Sequence, residues 1–142
     1  KKKGKEKIAT LREEMQKTME DCAGIYRSDA TLAQGAEKLR RLQERLQDLS
    51  LDDASYTFNT ELTSALELTY MLDLAEVICQ SARQRRESRG SHQRSDHPRR
   101  DDKKYLAHSL AYRGQRDGDP PRIEYLPVTI TRWPPGKRVY GK

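Results

Sequence analysis

Phosphate-cradling glycine loops, metal-ligand spacings and long apolar runs are all missing from this sequence, and each absence removes a class of function. The eight glycines, at 4, 24, 35, 90, 114, 118, 136 and 141, never form GxGxxG or a Walker loop. Dinucleotide binding by this chain alone is therefore not expected. His92, His97 and His108 lack the i, i+4 placement and the cysteine partners of a zinc site, and no carboxylate-rich metal loop is present. Cys22 and Cys79 stand in apolar helical stripes near no histidine. There they read as reduced, small core residues, since apolar surroundings raise a thiol pKa rather than activating it. No GxSxG elbow occurs. No apolar run approaches the ~18 residues that a membrane span requires, and no signal-peptide pattern is visible.

Aromatic residues are scarce too: one Phe, one Trp and seven Tyr in 142 residues, with 34% hydrophobic and 35% charged overall. Such a core is thin and mostly aliphatic, which suits helices that share one seam. The length fits one domain with an appendage. Charge is unevenly spread. Residues 1–82 carry 12 basic and 15 acidic side chains, net −3, whereas residues 83–142 carry 16 and 7, net +9. The basicity of the chain belongs to its C-terminal part. The opening KKKGKEK reads as a solvated, frayed end.

What is present is helical periodicity. Ile8, Leu11, Met15, Met19 and Cys22 recur at spacings of three and four, one stripe of a first helix ending near CAGIYR. Ser28 and Asp29 are N-cap types, followed by a second stripe of Leu32, Ala36, Leu39, Leu42, Leu46 and Leu49. Gly35 weakens that helix slightly. Asn59 can cap a third and longer helix over residues 60–86. Its apolar arc is wide: Leu62, Leu66, Thr69 and Leu72 cover one face, Leu68, Met71, Ala75 and Ile78 a neighbouring one. Either the helix is central to the bundle, or the bundle rests on something else. Glu67, Asp73 and Glu76 are then solvent-facing or paired with arginines.

After Gly90 the periodicity stops. SHQRSDHPRRDDKK is too polar to fold alone and needs a surface to lie on. Leu106, His108, Leu110 and Tyr112 then alternate with smaller or polar residues, the pattern of a half-buried strand. A second alternating run holds Ile123, Tyr125, Val128 and Ile130, and its phase change across Leu126 and Pro127 predicts a bulge or an edge. The fold expected is mainly α: a three-helix bundle over 1–86, then an irregular docking arm over 87–142 with a small hairpin-like β element.

RRESRGSHQR, residues 85–94, sets Arg85, Arg86, Arg89 and Arg94 around Glu87, Gly90 and His92. A catalytic loop, a nucleic-acid patch and a buried ion-pair hinge all use these residue types. Guanidinium forks suit carboxylates and phosphates alike. The interleaved Glu87, Asp96, Asp101 and Asp102 favour pairing within a protein, and no aromatic residue stands between Tyr70 and Tyr105 to stack on bases. A self-standing basic module that binds nucleic acid is the alternative, and a scaffold bundle that binds a partner helix comes third.

GIYR, FNTEL, LDLAEVICQSARQRRESRGSHQR, RDD, LAHSLAYR, RIEYLPVTIT and PPGKRVYG follow one another over residues 9–141. In that order they resemble the C-terminal region of the flavoprotein subunit of succinate dehydrogenases and fumarate reductases, with LAHSLAYR and PPGKRVYG closer to the bacterial fumarate reductase form. The resemblance implies a spectrin-repeat-like three-helix bundle whose arm wraps over the rest of a flavoprotein. It implies a parent enzyme in which FAD exchanges electrons with fumarate or succinate and passes them to an iron–sulfur subunit and membrane quinone. That enzyme would be cytoplasmic and peripheral on the inner face of the membrane. The flavin and substrate sites of the family match nothing here, so this region is expected to hold no cofactor and no catalytic residue. Glu87, Ser88, Arg89, Gly90 and His92 match the family's ESRGxH segment, Arg100, Asp101 and Asp102 its RDD, and His108 its H-[ST]-L; Glu87, Arg89, Gly90, His92, Arg94, Arg100, Asp101 and His108 are the docking candidates. The implied partners are the FAD-binding and capping domains of the same subunit, the iron–sulfur subunit and an assembly factor for flavin attachment. Neither nucleic acid nor a direct membrane span is expected.

Overall fold

A computed structural model of the chain describes residues 4–115 and 118–136. Three long helices run up, down and up: α1 (Ile8–Ala23), α2 (Asp29–Leu46) and α3 (Thr60–Gln84). Short connections enforce the antiparallel order of α1 and α2. The Ser28 hydroxyl accepts from Thr31 N at 3.2 Å while Thr31 Oγ1 accepts from Ser28 N at 3.0 Å, a reciprocal cap contributing about 1 kcal/mol. Asn59 Oδ1 accepts from Leu62 N at 2.7 Å and starts α3.

The core lies along the shared seam: Leu11, Met15 and Cys22 of α1, Leu32, Leu39 and Leu42 of α2, Leu68, Leu72, Ala75 and Cys79 of α3. Five of these leucines are fully buried, each worth about 2 kcal/mol relative to exposure. Gly35 has a role that its propensity conceals. A Cβ there would stand 2.8 Å from Cys22 Cβ and 3.4 Å from Cys79 Sγ, so its small size lets the helices close. Both cysteines are free and buried, and burial pushes the Cys79 thiol up to about 11.

Residues 4–7 are not a frayed end. Glu6 N donates to Asp48 O at 3.1 Å, Ser50 N to Glu6 O at 2.9 Å, and Arg45 grips Glu6 at 2.8 and 3.0 Å and Glu14 at 2.6 and 3.0 Å. The lysines dominate the composition of KKKGKEK, but its one glutamate decides where residues 4–7 lie.

Beyond α3 come a two-residue strand β2 (Gln93–Arg94), parallel to β1 (Tyr26–Arg27), a single helical turn α4 (Asp102–Tyr105) and a ribbon of β3 (Ala107–Tyr112) with β4 (Arg122–Pro127). The ribbon is antiparallel and unbroken from Tyr112↔Arg122 to Ala107↔Pro127. Val128 N continues it to Leu106 O at 3.2 Å. Of the bulge or edge expected at Leu126–Pro127 the ribbon shows the edge: with two strands both are edges, and Pro127 needs no N–H on its outer side. β4 turns Ile123 and Tyr125 inward, whereas in β3 only Ala107 and Leu110 are partly covered, so the regular alternation expected there is lost. Arg100 Nη1 donates to Gly136 O at 2.9 Å. The remainder of PPGKRVYG lies outside the described residues. None of the described helices is long and apolar enough to cross a membrane.

Candidate functional site

A helix leaves its last four carbonyls without intrahelical donors. α3 ends at Gln84, two residues earlier than expected, as Arg85 turns to an extended conformation. All the carbonyls freed there find donors from downstream. Arg94 Nη1 donates to Ala82 O at 2.8 Å and Arg83 O at 2.9 Å, Tyr105 Oη to Gln84 O at 3.2 Å, and His92 Nε2 to Arg85 O at 3.0 Å. A guanidinium there also complements the negative end of the helix dipole.

Arg94 is 1% exposed and makes a fork with Asp96, both bonds at 2.7 Å. The pairing holds the Asp96 carboxyl far below the usual carboxylate range. Asp96 in turn accepts from Asp29 N at 2.8 Å, at the start of α2, and Arg83 reaches the Asp29 carboxylate at 3.2 Å. His92 Nδ1 accepts from Arg27 Nη1 at 3.2 Å, while Arg27 Nε donates to Gly24 O at 2.9 Å behind α1. With Nε2 donating and Nδ1 accepting, the ring is the neutral tautomer. Burial lowers its pKa, and the cations of Arg27, Arg94 and Arg85 add to that. Residues 92–96 thus tie together the end of α1, the start of α2 and the end of α3.

Glu87 forms the second half of the site. Its side chain is fully buried, and its carboxylate accepts from Arg85 Nη1 at 2.7 Å, Arg89 Nε at 2.9 Å and Asp101 N at 2.8 Å. Burial alone would raise its pKa; the bonds from Arg89, Asp101 and Arg85 outweigh it and leave the group below the ordinary value. Arg89 also pairs with Asp102, which Arg100 reaches at 2.9 Å. Arg85 donates further to Tyr105 O at 2.8 Å and Ala107 O at 2.5 Å, and lies 5.5 and 5.6 Å from the edge-to-face rings of Tyr105 and Tyr125.

Of the docking candidates, Glu87, Arg89, His92, Arg94, Arg100 and Asp101 belong to this clasp. His108 stands apart, exposed on β3 opposite Leu126. The carboxylates around Arg89 come from this chain. Gly90 has φ +59° and serves the turn closed by Arg89 N to His92 O at 2.9 Å. Arg27 and Tyr105 are participants that sequence reasoning passed over, while Arg85 and Asp96 were read as members of the charged segment but not as docking candidates. GIYR and the acids inside the basic run were the available signals.

A cleft of about 580 Å³ opens between α2, α3 and the ribbon, lined by Arg40, Glu44, Asp73, Glu76, Arg113 and Asp119 among others. Gln43 donates to Asp73 and Glu76, each at 3.3 Å, and Glu67 meets Arg12 at 3.6 Å. Burial raises the Glu76 pKa. Four carboxylates against two guanidiniums do not suit the pyrophosphate of a flavin dinucleotide, which asks for converging N–H groups.

Residues 12–140 match the family described as fumarate reductase flavoprotein C-term. The chain belongs to that family. It is 56% identical over 139 residues to the fumarate reductase flavoprotein subunit of Mycobacterium tuberculosis, covering 98% of this chain and 24% of that protein. The succinate dehydrogenase flavoprotein subunit of Rickettsia bellii is 39% identical over 140 residues, 94% of this chain and 23% of that one. Among solved structures, the FrdA chain of Escherichia coli quinol fumarate reductase superimposes with a TM-score of 0.89 at 43% identity, over 98% of this chain and 24% of that chain. The flavoprotein C-terminal fold is therefore the mainly α bundle and arm described above, and the chain spans about a quarter of the length of these relatives.

Proposed function

We propose that this chain is the C-terminal helical region of a flavoprotein subunit that interconverts fumarate and succinate. In such a subunit other domains hold FAD and substrate, and electrons pass to an iron–sulfur subunit and then to membrane quinone. The region supplies no catalytic side chain. It is a docking element, with a bundle over residues 1–86 and an arm over residues 87–142 that faces the FAD-binding and capping domains. Arg100, at the margin of the clasp, and His108, exposed on β3, are its contact candidates, and an assembly factor for flavin attachment is a further partner. The complex sits on the cytoplasmic face of the membrane, with this subunit peripheral.

One observation carries the proposal: 56% identity across 98% of the chain to a protein of which it makes up only 24%. The clasp adds support, since arginines that engage carboxylates and helix carbonyls belong to a protein-internal fastening rather than a phosphate-binding face. The complete subunit should purify with stoichiometric FAD and reduce fumarate, while residues 1–142 alone bind no FAD. His108→Ala, at the exposed contact candidate, should lower flavin incorporation in the complete subunit and leave the helicity of the bundle nearly unchanged. Retention of the chain on DNA or RNA at physiological salt, competed by polyanion, would instead establish the nucleic-acid reading.

A further inference from the structure

On the side of α3 turned away from α1 and α2, Leu62, Leu66, Tyr70, Leu74 and Ile78 succeed one another at intervals of four. All five are exposed, by 44, 53, 65, 63 and 45%. They form a row about 24 Å long at 1.5 Å per residue. Phe58, one step further back, is 95% exposed. Leu68, Leu72, Ala75 and Cys79 meanwhile fill the inner face, so α3 is apolar on both sides. A helix of that kind belongs inside a larger body, and a contiguous exposed strip edged by Thr63, Glu67 and Asp73 marks a contact surface.

Phe58 supplies a second observation. Its φ is +52°, a region that a bulky side chain enters at a cost of about 1–3 kcal/mol. Asn59 holds it there: Nδ2 donates to Asp53 O at 3.2 Å and Ser55 O at 3.0 Å, while Oδ1 caps α3. The connector is thus clamped in a strained shape that points an aromatic ring into solvent. Burial of that ring against another surface would offset the strain.

From these features we infer that the outer face of α3, from Phe58 to Ile78, is the seam on which the preceding domains of the same flavoprotein polypeptide pack, with Phe58 seated in an apolar recess. The inference rests on the proposed function. The matched family is the C-terminal part of its proteins, and about three quarters of each relative's length lies outside the region that this chain covers. The geometry favours attachment in cis. Residues 4–7 run beside Asp48 and Leu49, at the end of the bundle where α3 begins, so polypeptide entering there arrives at the same end of the bundle that carries Phe58 and Leu62. The clasp lies at the opposite end, with its charges already paired.

The test uses the complete subunit carrying Leu74→Cys or, separately, Phe58→Cys. Maleimide labelling is read site by site by mass spectrometry, natively and in urea. Cys22 and Cys79 are buried and give little native background. Native labelling of the introduced thiols should be slowed at least about tenfold relative to urea, at all subunit concentrations and without the iron–sulfur subunit. Equal rates in flavin-loaded subunit would overturn the inference. So would protection that appears only when the iron–sulfur subunit is added, or only as subunit concentration rises, since each names a different occupant. Phe58 lies outside the helix, so its variant provides the reading if Leu74→Cys does not fold. A complete subunit without FAD sinks the proposed function, while the labelling still decides the seam.

Discussion

Arg94→Met keeps most of the side-chain volume and removes the guanidinium, so it isolates what the buried charge contributes. Four hydrogen bonds disappear: two to Asp96 at 2.7 Å and one each to Ala82 O and Arg83 O at 2.8 and 2.9 Å. Breaking a buried pair from one side costs about 3–5 kcal/mol. The Asp96 side chain is 31% exposed and can rehydrate, which places the expected loss near the lower end, about 3–4 kcal/mol with the two orphaned carbonyls included. For a chain of this size that lowers Tm by roughly 10–15 °C. Urea unfolding followed by far-ultraviolet circular dichroism should show the midpoint falling with its slope unchanged. The effect carries a pH signature. Asp96 has a depressed pKa when folded, chiefly through Arg94, so its contribution is present above about pH 4 and is lost as pH falls through the folded value. The gap between wild type and variant should narrow in acid. A loss under about 1 kcal/mol at neutral pH, or a gap that stays constant down to pH ~2, would refute the assignment of Arg94 as the cap of α3.

Gly35→Ala brings a methyl within 2.8 Å of Cys22 Cβ; overpacking of about 1–3 kcal/mol should outweigh a propensity gain of about 1 kcal/mol, and calorimetry should find a lower Tm. His92 is held below its ordinary pKa, first by burial, so the unfolded chain binds more protons near pH 6 and stability rises with pH between about 5 and 7. His92→Gln should flatten that slope in parallel urea titrations. The Tyr125 hydroxyl is buried with no hydrogen-bond partner among the described residues. Tyr125→Phe should therefore change stability by less than about 0.5 kcal/mol or raise it, and a loss above about 1.5 kcal/mol would reveal a partner.

The helices were legible because α1 and α2 each carry one apolar stripe, and α2 and α3 each start at a side-chain cap: Ser28 and Asn59 stand where their residue types predicted. The docking candidates were legible as a group but not as a geometry. Periodicity says nothing about which acid meets which arginine, and Asp96 pairs with Arg94 two residues away while also capping α2 sixty-seven residues upstream. The wide arc on α3 had two readings, and the exposure of Leu62, Leu66 and Ile78 separates them. The core takes Leu68, Leu72 and Ala75, Met71 packs against it from the edge, and Leu62, Leu66 and Ile78 stay outside. The polar segment after Gly90 does find a surface, and part of it is the end of the bundle itself. Its few apolar groups concealed this, because polar groups hold it there: Ser88 N to Arg99 O at 3.1 Å, Ser95 N to Arg27 O at 2.8 Å, and the fork of Arg94.

The closure of three helix ends by residues 92–105 bears on where this polypeptide can be cut. A stop after residue 86 would spare every buried leucine, yet it would remove the partners of the last carbonyls of α3, the acceptor for Asp29 N and the ring that meets Arg27. The three helices would then unravel from the same end. Arm and bundle should accordingly melt as one cooperative unit, and the shortest piece able to hold its shape extends at least through Tyr105, however neatly the apolar pattern stops before it.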